Sequence, residues 1–163
     1  MKRLFPIFLV LILLCGCSAQ KSDFELPYFS KSARISCRGF EYDCKITYSR
    51  QGVEVDVLST AAKGLNITYN GSELAFSYGN IKISEPNNNF ELTNPAIAVF
   101  DIVKEVQKLS KSDLEKLNSG HQVCGKTALG EFIAVFGTDY SLQSIEFANR
   151  DFICLLYTSP SPR

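Results

Sequence analysis

The sequence has no tryptophan, one methionine and one histidine, and its formal net charge is zero. With His121 as the sole imidazole, a histidine-rich metal centre is excluded, and a Ser-His-Asp or Cys-His site has one residue to build on. Balanced charge leaves no basic footprint for nucleic acid. No apolar run reaches the ~20 residues that cross a bilayer. Internal repeats are absent as well.

The first residues, MKRLFPIFLVLILLCGCSAQ, divide into the three parts of a secretory signal. Lys2 and Arg3 make the positive start, residues 4–14 the short apolar run, and small residues follow. Leu14-Cys15-Gly16-Cys17 resembles a lipobox. That resemblance implies a signal peptide over 1–16, cleavage after Gly16, and a diacylglycerol-type, palmitate-bearing anchor on Cys17. A lipid anchor places the mature protein on the extracytoplasmic face of the cell membrane. No basic amphipathic helix supplies a second membrane signal, and a diacyl anchor holds where one short chain is marginal. Residues 17–32 read as the lipidated cysteine and a tether.

At the other end, Cys154 to Arg163, CLLYTSPSPR, resembles over its whole length a translated sequencing adapter read in frame. The domain expected is therefore 33–153, with its natural C-terminus elsewhere and 154–163 trailing free of it. Setting Lys2, Arg3 and Arg163 aside takes the basic count from 17 to 14 against 17 acidic residues, about −3 for the mature part.

Between these ends the polarity alternates with period two, cut by glycine turns, as in an antiparallel meander. Strands are expected at 33–37, 40–48, 53–58, 65–69, 74–78 and 81–84. Arg38-Gly39, Gln51-Gly52, Asn70-Gly71 and Gly79-Asn80 supply turns that tolerate positive φ. Leu65, Ile67 and Tyr69 share one face with Leu74, Phe76 and Tyr78. A polar loop over 85–92 leads to Asn94, a helix cap, with Pro95 at the first helical position. The helix is expected to reach about Leu109, with Val99, Ile102, Val103 and Val106 as its apolar stripe. Ser112 and Glu115 have capping-box spacing for a short second helix ending before Gly120. Strands resume at 123–129, 131–135 and 142–147, and residues 151–153 open another.

Several patterns carry possible chemistry. Gly120-His121-Gln122-Val123-Cys124-Gly125-Lys126-Thr127 satisfies the phosphate-loop spelling. Such a loop needs a buried strand before it and a helix after it. Here a helix end precedes and a strand follows, which argues against nucleotide binding. Cys124 lies near His121 without a third group, so no catalytic residue is expected and the chain reads as a non-enzyme. Scattered cysteines and one histidine lack metal-ligand spacing, and no cofactor is implied. Glu41, Asp43, Glu54 and Asp56 alternate on a solvated face. The sequons at Asn66 and Asn70 read as strand and turn chemistry.

Cys37 and Cys44 allow a disulfide, permitted outside the cytoplasm. If Arg38-Gly39 is a two-residue turn, residue i pairs with 77−i and the thiols stand apart. If the loop is longer, i pairs with 81−i and Cys37 meets Cys44. Both registers keep the two cysteines on one face, so alternation leaves the choice open.

Lys63-Gly64-Leu65 through Tyr69-Asn70-Gly71 to Tyr78-Gly79, and Asp139 followed by Leu142, Ser144 and Ile145, resemble the LolA/LolB-like lipoprotein-carrier fold, as seen in lipoproteins of Clostridia-type bacteria. The resemblance implies an α+β fold, a curved antiparallel sheet forming an incomplete barrel, crossed by one main helix and a short second helix. It also implies a lipid-like or apolar ligand held between sheet and helix. The residues that would line that space are Ile46, Tyr48, Leu65, Ile67, Leu74 and Phe76 on the sheet, with Val99 and Val103 on the helix. The competing expectation is a filled core in an envelope interaction or signalling lipoprotein that holds a protein partner.

Cys17→Ser is expected to leave an unprocessed or released protein. Intact-mass analysis of the membrane fraction checks this, and an unmodified Cys17 on the mature membrane form contradicts it.

Overall fold

The computed structural model describes residues 24–86, 94–148 and 151–157. The signal segment, Cys17, most of the expected polar loop and residues 158–163 lie outside the described residues. The alternating segments form β1 (Phe29–Cys37), β2 (Phe40–Ser49), β3 (Gly52–Val57), β4 (Leu65–Tyr69), β5 (Glu73–Tyr78) and β6 (Ile81–Pro86). Helix α1 (Pro95–Val106) follows, then a 3₁₀ turn at Lys111–Asp113. After it come β7 (Glu115–Leu117), β8 (Gly120–Thr127), β9 (Gly130–Phe136), β10 (Leu142–Phe147) and β11 (Phe152–Tyr157).

All eleven strands belong to one antiparallel sheet, ordered β6-β5-β4-β3-β2-β1-β11-β10-β9-β8-β7. Two meanders are joined at the centre, where β1 pairs with β11 from Cys37↔Phe152 to Ser32↔Tyr157. The chain winds outward to β6, crosses through α1, and winds back from β7. The sheet stays open, with β6 and β7 as its two edges among the described residues. This corrects the expected α+β, incomplete-barrel class with two helices. The described residues make a sheet-dominated fold with a single α-helix. The second helix is replaced by the 3₁₀ turn and β7. Asp113 accepts from both the backbone N–H and the hydroxyl of Ser110, at 2.7 and 2.8 Å. That turn ends where β7 pairs with β8.

Helix α1 starts where expected, with the Asn94 side chain accepting from the Ala96 N–H at 2.9 Å. It stops at Val106, and the Lys108 and Leu109 N–H groups bond back only three residues, to Glu105 and Val106. Nine of its twelve residues are buried, including Ala96, Ile97, Ala98 and Phe100 beyond the expected stripe. It packs against β3, β4 and β8. β4 and β8 stand seven places apart in the strand order, ~33 Å in a flat sheet at ~4.8 Å per strand. A twelve-residue helix is ~18 Å long, so the sheet bends toward it.

Two expected boundaries move. Phe24 and Leu26 are buried before β1 begins, and Phe24 meets Phe136 and Tyr140 edge-on at 5.6 and 5.8 Å. The tether therefore ends well before residue 32, because two large apolar side chains gain from burial there. Residues Cys154 to Tyr157, expected to trail free, occupy β11 between β1 and β10, with Cys154 and Leu156 buried. Alternation admits them. Phe152, Cys154 and Leu156 face inward, while Ile153 and Leu155 face out.

The phosphate-loop spelling falls on β8, with no helix after it. Its first glycine serves the sheet. Gly120 sits at φ 152°, and a Cβ there would stand 2.0 Å from the Phe136 carbonyl oxygen. Gly125 makes room for the Phe132 ring, whose nearest atom would be 2.5 Å from a Cβ. One glycine thus admits a neighbouring backbone and the other an aromatic ring.

Candidate functional site

The inner face can be followed along its cross-strand rows. One row runs Ile83↔Phe76↔Ile67↔Val55↔Ile46 across β6 to β2. Ile46 and Val55 are fully buried and Ile67 is 5 % exposed, whereas Phe76 is half-buried and Ile83 is 54 % exposed. The next row holds half-buried Leu65, then Tyr78 at 52 % and Ile81 at 65 % exposure. Burial thus fades toward the β6 edge, away from β3 and β4, against which α1 packs. Five apolar side chains, Leu65, Phe76, Tyr78, Ile81 and Ile83, share this open part of the inner face.

The eight residues expected to line a ligand space are brought together, all within or against one core. Six of them, Ile46, Tyr48, Ile67, Leu74, Val99 and Val103, are buried parts of it. The Tyr48 hydroxyl is held by Gln107 Nε2 at 3.0 Å, which ties β2 to the end of the helix. Leu65 and Phe76 are the two with accessible surface, and Leu65 also lines a cavity of about 300 Å³ with Lys63 and Leu58. A second cavity of about 280 Å³ opens on the outer side of β3 to β6, beside Glu54, Thr68, Glu73, Lys82 and Ser84. A third, of about 470 Å³, lies by Cys124, Lys126 and Phe132. None of these three is walled by Ile46, Tyr48, Val99 or Val103.

Sequence reasoning did not single out Ile81 and Ile83 as site residues. Their signal was the alternation of 81–84 itself, which puts two isoleucines on the face of Phe76 and Tyr78.

The residues weighed for catalysis are dispersed or engaged. The His121 ring stacks on Tyr140 at 4.4 Å between centroids, and its Nδ1 lies 3.4 Å from the Gly137 carbonyl. Lys111 sits over the other partner of that stack, 5.2 Å from the Tyr140 centroid. Asn66 Nδ2 donates to both Glu54 and Asp56, at 2.6 and 2.7 Å, and Arg34 pairs with Asp43 at 2.9 Å. Among the described residues no group of three His, Cys, Asp or Glu side chains is placed to hold a metal ion.

The two-residue turn sets the β1–β2 register. Arg38 and Gly39 both take positive φ, 49° and 80°. Cys37 therefore faces Phe40, and Cys44 faces Ala33. The longer-loop register that would join the two thiols is not adopted. All four described cysteines are free thiols, so the disulfide considered for Cys37 and Cys44 is absent. Burial pushes the Cys44 thiol up to about 12, with Asp43 and Asp56 adding to the shift, and burial likewise raises Cys154 and Tyr42. Lys31, whose Nζ donates to the Leu142 carbonyl at 2.9 Å, is lowered by burial against the opposing pull of Asp139.

A raised thiol in the folded state means the unfolded chain ionises first as pH climbs. Stability is therefore full below the ordinary thiol value of 9.0 and falls between there and about 12. Urea denaturation across this window is expected to show that decline, with a shallower slope in Cys44→Ala. Alkylation of the folded chain is expected at exposed Cys124 and withheld from Cys44 and Cys154 until unfolding. An unchanged slope, or a Cys37–Cys44 bridge in a non-reducing digest, contradicts this arrangement.

No family model matches the sequence, and no curated protein matches it. Among solved structures the chain is similar to the LolA superfamily protein NE2245 from Nitrosomonas europaea, at 10% sequence identity and a TM-score of 0.37, over 80% of this chain and 67% of that one.

Proposed function

We propose that this protein is a non-enzymatic lipoprotein, anchored through Cys17 on the extracytoplasmic face of a membrane, that holds a lipid-like or apolar ligand on its inner sheet face beside α1. The observation that carries the reading is the fading burial along the Ile83↔Phe76↔Ile67 row. Apolar side chains there stay accessible in a contiguous group, and such groups on a folded chain mark binding surfaces. The ligand seat moves accordingly. It leaves the region between sheet and helix, where Val99 and Val103 are buried, for Leu65, Phe76, Tyr78, Ile81 and Ile83.

A second reading is an envelope interaction or signalling lipoprotein with a protein partner. What favours it is the filled core around Ile46, Leu74 and Val99.

A chain beginning at Ser18 retains every described residue and suits a titration with a fluorescent fatty acid. Saturable binding is expected, with a rise in melting temperature that reads a mass-action stabilisation of ~2.7 kcal/mol at a hundredfold excess over Kd. Ile81→Asp and Ile83→Asp are each expected to weaken binding about tenfold while changing stability by no more than ~0.5 kcal/mol, since both sites are exposed. Val103→Asp buries an unpaired carboxyl and is expected to unfold the domain. Binding that survives both isoleucine substitutions contradicts the proposed seat.

A further inference from the structure

The two edges of the sheet differ. β7 has three residues, and its exposed Glu115 and Lys116 discourage further pairing. β6 has six residues, all exposed, and its side away from β5 has no strand partner among the described residues. Ile81 and Ile83 lie on its inner face, Lys82 and Ser84 on its outer face beside the 280 Å³ cleft, and Pro86 limits pairing to residues 81–85.

We propose that β6 accepts an extended segment of a partner protein as an added antiparallel strand. Main-chain hydrogen bonds along a sheet edge give affinity, and alternate side chains give specificity. The pattern of β6 states what that segment carries. Opposite Ile81 and Ile83 stand apolar residues, opposite Lys82 an acidic one, and opposite Glu85 a basic one, because directly opposed pairs set strand pairing. A second copy of this chain fits less well. Symmetric pairing centred on Lys82 opposes two ammonium groups, and centring on Ile83 leaves them diagonal neighbours. Centring on Ser84 sets Ile83 against Glu85.

This goes beyond the apolar-ligand reading and is separable from it, since Lys82 lies on the face opposite Ile81 and Ile83. The test uses the full chain in lipid nanodiscs and a capped, fluorescent peptide, Arg-Thr-Val-Glu-Val-Thr. Saturable binding is expected, with slowed amide hydrogen exchange at residues 81–85. Lys82→Glu is expected to weaken this peptide at least threefold and to favour the charge-reversed peptide Arg-Thr-Val-Lys-Val-Thr by a similar factor. Four results overturn the proposal. They are no binding, binding indifferent to the charge at Lys82, self-association without peptide that protects residues 81–85, and prior protection of those amides by the chain's own residues 87–93.

Discussion

Among the described residues, one helix has to cover an eleven-stranded sheet. At ~4.8 Å per strand the sheet is ~48 Å wide, and α1 offers ~18 Å of length. Everything else about the inner face follows from how that mismatch is met. The sheet bends so that β3, β4 and β8 all touch α1, and the helix answers by burying nine of its twelve residues. Phe24 covers the ground near Phe136, and Leu26 and Leu114 join the same core. Among the described residues, what none of these covers is the apolar group of Tyr78, Ile81 and Ile83 at the β5–β6 end. The proposed ligand surface is the part of the sheet that the helix leaves uncovered.

The same economy gives the residues with chemical potential structural work. Cys44 and Cys154 act as small apolar residues on the inner face, their thiols raised by burial. The glycines of Gly120 to Thr127 let backbones and the Phe132 ring approach. Asp43, Glu54 and Asp56 lie on the outer face of β2 and β3, where Arg34 and Asn66 engage them.

Strand positions were legible because period two and positive-φ turns are local. β4 covers 65–69 as read, and β2 and β5 each differ by one residue at one end. The β1–β2 register was not legible, since both candidate registers kept Cys37 and Cys44 on one face; the backbone at Arg38 and Gly39 decided it. Nor could periodicity reveal that β1 joins β11, a pairing more than a hundred residues apart in sequence. The stripe of Val99, Ile102, Val103 and Val106 was correct but too narrow. Ala96, Ile97 and Phe100 gain partners only once β3 and β4 stand on one side and β8 on another. The capping-box spacing at Ser112 and Glu115 misled because a capped turn does not require a helix after it. Six of the eight expected ligand residues are buried in the core, since alternation identifies a face and cannot say how far its cover extends.

The division of the inner face into a covered and an uncovered part is tested most directly by photolabelling. A diazirine-bearing fatty acid, irradiated with the Ser18 chain and mapped by peptide mass spectrometry, is expected to label residues 76–83 and to spare 95–106. Labelling concentrated on α1, between sheet and helix, would contradict it.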